Sequence, residues 1–133
     1  MSSPESEPAA VVSELLAAFS AADFDRMRTT MAPDMLAFVT NEEGGEDEVR
    51  GRDAYLARIE AMDLPAVRFS VGLTQSPVTV GDGLVLAMVE VRAQKGERQL
   101  HNYAAHLLRV AGGVITEWRM VEAKPAESDA FWS

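Results

Sequence analysis

The 133-residue chain contains no cysteine. That excludes disulfides, thiolate nucleophiles and cysteine-ligated metal, and it fits a reducing compartment. Positive charge is scarce as well. Twelve basic residues stand against 21 acidic ones, for a net charge of −9. A nucleic-acid partner needs a basic face, and so does an anionic membrane surface, so neither is expected. No apolar run approaches the ~18 residues of a membrane span. Aromatics are few, with two Trp and two Tyr, so each one placed in a strand is informative. The first eight residues, Met1 to Pro8, are acidic and polar. They lack the basic start and apolar stretch of a secretory leader, so a cytoplasmic location is expected, with residues 1–8 as a disordered tail.

What is present suits one globular domain over 9–133: 47% apolar and 25% charged residues, with length enough for a core. From Ala9 to Ala22, the residues Val12, Leu15, Leu16 and Phe19 recur at helical spacing. Asp23 caps a second, shorter helix whose apolar face is Phe24, Met27 and Met31, and Pro33 stops it. Met35 to Thr40 reads as a strand, and the acidic Asn41 to Glu48 as a solvated loop that can reach over a pocket mouth. Gly51-Arg52-Asp53-Ala54 opens a third helix, with Asp53 as its expected cap and Tyr55, Leu56, Ile59 and Met62 as its buried stripe.

Beyond Pro65 the chain becomes β. Val67 to Leu73 alternates apolar and polar. Val78 to Val80 follows Pro77, and Gly81-Asp82-Gly83 turns the chain into Leu84 to Arg92. Two long strands close the pattern, Asn102 to Val110 and Val114 to Glu122, joined at Gly112-Gly113. The tail is polar until Phe131-Trp132, aromatics expected to pack back on the body. Helices first and antiparallel strands last define an α+β domain with helices on one face of a curved sheet.

Alternation then sorts the candidate site residues. With Arg109 outward, Asn102, Ala104, His106, Leu108 and Val110 face inward. On the last strand Trp118, Met120 and Glu122 share one side; Ile115, Glu117, Arg119 and Val121 take the other. Inward His106 is either a base or donor for a ligand, or a satisfied core histidine. Glu122, near the pocket mouth, is the other candidate base. Tyr55 offers a phenol. His101 and His106 lie on opposite faces of one strand and cannot share a metal, so no metal site and no cofactor are expected.

Several signatures, in this order, resemble the NTF2-like superfamily, in its SnoaL-like and ketosteroid-isomerase-like branch. They are Ala22-Asp23-Phe24-Asp25, Met31-Ala32-Pro33-Asp34, Gly51-Arg52-Asp53-Ala54, His106-Leu107-Leu108-Arg109-Val110, Gly112-Gly113-Val114-Ile115-Thr116-Glu117-Trp118 and the closing Asp129-Ala130-Phe131-Trp132. The resemblance implies a cone: three helices from the N-terminal half on a strongly curved, mostly antiparallel sheet, with a pocket for a small hydrophobic molecule. It also implies a homodimer through the outer sheet face. Leu84, Leu86 and Met88 agree, being too apolar for a solvent face. Laid on the ketosteroid isomerase pattern, the first-helix tyrosine falls at Leu15, the base aspartate near Val39 and the second donor at His106. Leucine cannot donate a hydrogen bond and valine cannot take a proton, so that arrangement is not reproduced. The residues expected to carry function are therefore His106 and Glu122 as catalytic candidates, with Asn102, Trp118, Tyr55, Leu15, Val39 and Met120 around the ligand. Three activities stay open: cofactor-free acid–base isomerisation or cyclisation of a carbonyl compound, non-catalytic ligand binding or dimerisation, and epoxide-hydrolase-like water activation.

Overall fold

Strand alternation in the second half and helical periodicity in the first build two layers. The computed structural model describes residues 6–41, 43 and 45–132. Its elements are α1 (Ser6–Ser20), α2 (Phe24–Thr29), β1 (Met31–Thr40), β2 (Glu46–Arg50), α3 (Arg52–Glu60), a 3-10 turn (Leu64–Val67), β3 (Ser70–Leu73), β4 (Val78–Gly81), β5 (Leu84–Lys95), β6 (Arg98–Ala111), β7 (Val114–Glu122) and α4 (Pro125–Trp132). The seven strands form one curved sheet in the order β2-β1-β7-β6-β5-β3, with β4 also on β5. The β1–β7 pair is parallel and the other pairs are antiparallel. Helices and sheet enclose the core, in which Val12, Leu15, Val85, Ala87, Val89, Leu108 and Ile115 are fully buried. Among the described residues no helix is long and apolar enough to cross a membrane.

Several expectations are corrected. The tail expected over 1–8 lies outside the described residues for 1–5, whereas Ser6, Glu7 and Pro8 form the first turn of α1, where a proline without an N–H is tolerated. Asp23 does cap α2, accepting from the Arg26 N–H at 3.2 Å, but α2 ends before Met31. The Thr30 hydroxyl donates to the Met27 carbonyl at 2.7 Å, and Met31 opens β1. Pro33 lies inside β1, where the ladder to β7 breaks between Met31 and Leu36. Gly51, at φ +94°, occupies the N-cap of α3. Asp53 instead pairs with Arg28 and Arg52.

The acidic segment is not all loop. Asn41 Oδ1 accepts the amides of Glu43 and Gly45 at 3.1 and 2.9 Å, closing a turn of the side-chain-to-backbone kind. Glu46 to Arg50 then pairs antiparallel with β1. Pairing uses backbone groups alone, and charged side chains suit a sheet edge. Val67, expected to open a strand, instead closes the 3-10 turn Leu64–Val67, so β3 shortens to Ser70–Leu73. Three helices become four among the described residues. The C-terminal stretch coils into α4 and buries Phe131, as its aromatics required.

Candidate functional site: an apolar cavity over β6 and β7

Residues of β6 alternate as expected: Asn102, Ala104, His106, Leu108 and Val110 are buried, and Arg109 is exposed. The register with β7 sets Met120 opposite His106, Glu122 opposite Ala104 and Trp118 opposite Leu108. Trp118 and Glu122 are therefore the two diagonal neighbours of His106, within reach of long side chains. A register shift between Arg109 and Val110 inserts Thr116 as an extra residue in β7. The bulge returns Ile115 to the inside, where it is fully buried. That reverses the outward placement expected from strict alternation.

His106 is the pivot of the site. The Trp118 indole N–H donates to His106 Nδ1 at 2.7 Å. The other ring nitrogen, Nε2, is buried and finds no hydrogen-bond partner among the described residues. Burial pushes the imidazole pKa down to about 4, because a charged ring would be desolvated. Trp118 is held in turn by edge contacts from Phe19 and Tyr55, with ring centroids 5.9 and 5.1 Å away.

His106 faces a cavity of about 290 Å³, near the small end of the ~300–1,000 Å³ usual for small-molecule sites. Its walls include Val39, Ile59, Met62, Phe69, Val71, Leu100, Met120 and Trp132. Polar groups also line it: Asn41, Asp47, Tyr55, Arg58, Glu122, Ser128 and Asp129. Burial raises the Glu122 carboxyl above its ordinary pKa, against the lowering effect of a 2.9 Å hydrogen bond from the Ser128 hydroxyl. Burial also pushes the Tyr55 phenol up. Arg58 Nη2 lies 3.4 Å from Asp47 Oδ2, and Asn41 Nδ2 donates to Asp47 Oδ1 at 3.3 Å.

Of the residues expected around a ligand, His106, Glu122, Tyr55, Val39 and Met120 line the cavity. Three belong elsewhere. Leu15 is fully buried in the core. Trp118 is spent on His106 rather than on the cavity. Asn102 bridges β6 to the segment before α4: its Nδ2 donates to the Lys124 carbonyl at 3.2 Å, and its Oδ1 accepts from Lys124 N at 3.0 Å. Its polarity satisfies backbone groups, as a buried amide must. Asp47 belongs to the acidic segment expected over a pocket mouth, whereas Arg58, Ser128 and Asp129 are cavity residues outside the expected set. Pro125 at the head of α4 was the available signal for the last two, since proline favours the first turn of a helix.

A cavity between helices and a strongly curved, mostly antiparallel sheet defines the NTF2-like, cystatin-like class. Within it, residues 12–118 match the model of the SnoaL-like domain, and the chain belongs to that family. It is 28% identical over 123 residues to uncharacterized protein Rv0034 of Mycobacterium tuberculosis H37Rv, an alignment covering 92% of this chain and 94% of that protein. Among solved structures it resembles Bal32a from a soil-derived mobile gene cassette, with TM-score 0.84, 19% identity and coverage of 97% of this chain and 99% of that one. It also resembles a protein described as a SnoaL-like polyketide cyclase from Jannaschia sp. CCS1, with TM-score 0.78, 19% identity and coverage of 100% and 97%. An LEH-like epoxide hydrolase of M. tuberculosis superposes with TM-score 0.73 at 21% identity, over 88% of this chain and 83% of that one. At these identities the structural likeness establishes the fold.

Proposed function

We propose that the protein binds a small, mainly apolar carbonyl compound and moves a proton on it without a cofactor, as an isomerase or cyclase does, with His106 and Glu122 as the working pair. The observation that carries this reading is the buried His106 Nε2. It has no partner among the described residues, and His106 lines an apolar cavity together with Glu122. An unsatisfied buried polar atom costs ~1–3 kcal/mol, which a ligand atom bonded to it would recover. The raised pKa of Glu122 brings it nearer the operating range of a general base.

The test uses 4-phenylcyclohexanone in deuterated buffer, with its α-protons followed by NMR. Protein-dependent exchange is expected, and Glu122→Gln should abolish it. Binding of the ketone with no exchange above the buffer rate would replace this reading with a non-catalytic ligand-binding module. The Asp47–Arg58 contact on the cavity wall favours water activation, as in an epoxide hydrolase, as a second reading. Styrene oxide opening that depends on Asp47 would support it, and inert epoxide would exclude it.

The outer face of the same strands suits a second copy of this chain. Register places Met88 beside Ala105 and Ala105 beside Val121, with Leu86 beside Leu107. Val121 and Tyr103 are 51% and 41% exposed. An apolar strip of this kind on a sheet favours burial against a partner. A homodimer is expected in sedimentation, and a monomer at micromolar concentration would contradict it. A cysteine-free chain with a net charge of −9 is consistent with the cytoplasm, where fractionation should find it.

A further inference from the structure

The Trp118–His106 contact has a chemical consequence beyond packing. An indole N–H is a donor only, so Nδ1 of His106 is an acceptor in this contact. A neutral imidazole carries one proton, which must then sit on Nε2. We propose that Trp118 is a positioning residue: by occupying the basic lone pair of His106 it makes the imidazole a dedicated N–H donor toward the cavity, selecting a neutral ligand with an acceptor oxygen, a ketone or enone, and leaving Glu122 as the base. The ligand class and the role of Glu122 rest on the function proposed above. The tautomer does not.

The step balances without any other reagent. The Glu122 carboxylate takes a proton from the carbon next to the carbonyl. The C–H electron pair becomes the enolate double bond, and the carbonyl π pair moves onto oxygen, where the His106 Nε2–H holds it. Return of the proton from Glu122 to the same or a conjugated carbon completes exchange or isomerisation. His106 never changes its protonation state. The other titratable groups lining the cavity with it are Asp47, Tyr55, Arg58, Glu122 and Asp129. None of these competes for Nδ1, which is turned to Trp118.

The first test is nitrogen-15 NMR of the imidazoles in the intact, ligand-free protein from about pH 6 to 8. The expected result is a single tautomer of His106, with Nε2 protonated and Nδ1 bare. A protonated Nδ1 would overturn the proposal whatever the protein's activity. The second test is Trp118→Phe, which keeps an aromatic ring and removes the donor. His106 should then titrate at least about one unit higher, since Nδ1 becomes free to take a proton. An unchanged titration in folded Trp118→Phe would overturn the assigned role. Should that variant not fold, the wild-type tautomer still decides. The third test compares 4-phenylcyclohexanone with phenylcyclohexane. The ketone alone should move the Nε2–H resonance, and His106→Leu should weaken its binding about tenfold while His106→Gln recovers part of the loss. Equal responses to both compounds would overturn the ligand class. The expected tautomer without α-proton exchange would retire the catalytic reading and leave the donor role standing.

Discussion

The two histidines of β6 sit five positions apart on opposite faces of one sheet, and they live under different physics. His101 faces outward, half-exposed. Its Nε2 lies 2.7 Å from Glu90 Oε2, and the Tyr103 hydroxyl donates to the same oxygen at 3.3 Å. The hydrogen bond from His101 leads the effects that lower the Glu90 pKa. His106 faces inward, and the partner of its Nδ1 is a neutral indole. Burial lowers its pKa to about 4. The imidazole outside is stabilised by a carboxylate and solvent; the one inside is kept neutral by removal of water. The sheet's period of two residues is enough to give one strand a surface histidine–carboxylate contact and a buried imidazole held by an indole.

The inner histidine is the easier to break. Trp118→Ala removes a buried ring contacted by Phe19, Tyr55 and His106 and leaves Nδ1 unpaired. A loss of ~3–5 kcal/mol is expected in urea denaturation. Acid should act next. His106 takes up its proton near 6.5 when unfolded and only at about 4 when folded. Between those values the unfolded state binds more protons, so stability rises with pH across this window and is lost as pH falls from 6.5 toward 4. The loss attributable to His106 is roughly 3 kcal/mol at the acid end. Denaturation midpoints measured along a pH series should show it, and His106→Gln should flatten that part of the slope.

The inner site was legible in sequence to the extent that strand alternation controls it. Arg109 marks the outside of β6, and that sufficed to turn His106 inward. Glu122, Met120 and Tyr55 followed from the same period or from helical spacing, and all three line the cavity. Alternation misplaces side chains where one residue changes the count or where polarity hides backbone pairing. The extra residue at Thr116 flips Ile115 from outside to inside. The acidic Glu46–Arg50 pairs as a strand although its side chains say solvent. Asn102 was correctly turned inward, but its amide bonds backbone atoms of Lys124, which lies 22 residues away. No local pattern announces such a partner. The Trp118–His106 hydrogen bond was hidden for the same reason: both residues were placed on the inner face, but which polar atoms meet depends on register across two strands.

Glu122 refines the comparison, because it is an inner carboxylate beside an apolar wall while Glu90 is an outer one beside a histidine. Burial raises the pKa of Glu122. From the unfolded value of 4.5 up to its raised folded value, the folded state holds more protons, so stability falls as pH rises through that window. The penalty is complete above it. Glu122→Gln removes the charge and keeps an acceptor for the Ser128 hydroxyl. Its denaturation midpoint should therefore rise at pH 7 and match wild type below about 4.5. A variant less stable than wild type at pH 7 would mean that the carboxylate is held by favourable charge rather than tolerated.

The smallest effect is expected outside. The His101–Glu90 contact is open to water, and exposed contacts of this kind contribute little. His101→Ala should leave the denaturation midpoint of the monomeric unit within experimental error. The same substitution is more telling in the assembly. His101, Tyr103 and Glu90 lie on the outer face, beside the apolar strip of Met88, Ala105 and Val121 proposed to meet a second copy. Sedimentation of His101→Ala beside Val121→Glu separates the two contributions. The glutamate, set into the apolar strip, should drive the protein toward monomer. The alanine should shift the equilibrium slightly or not at all. If instead His101→Ala dissociates the protein as strongly, the outer histidine is buried between copies, and the contrast between the two faces of β6 would hold only for the isolated chain.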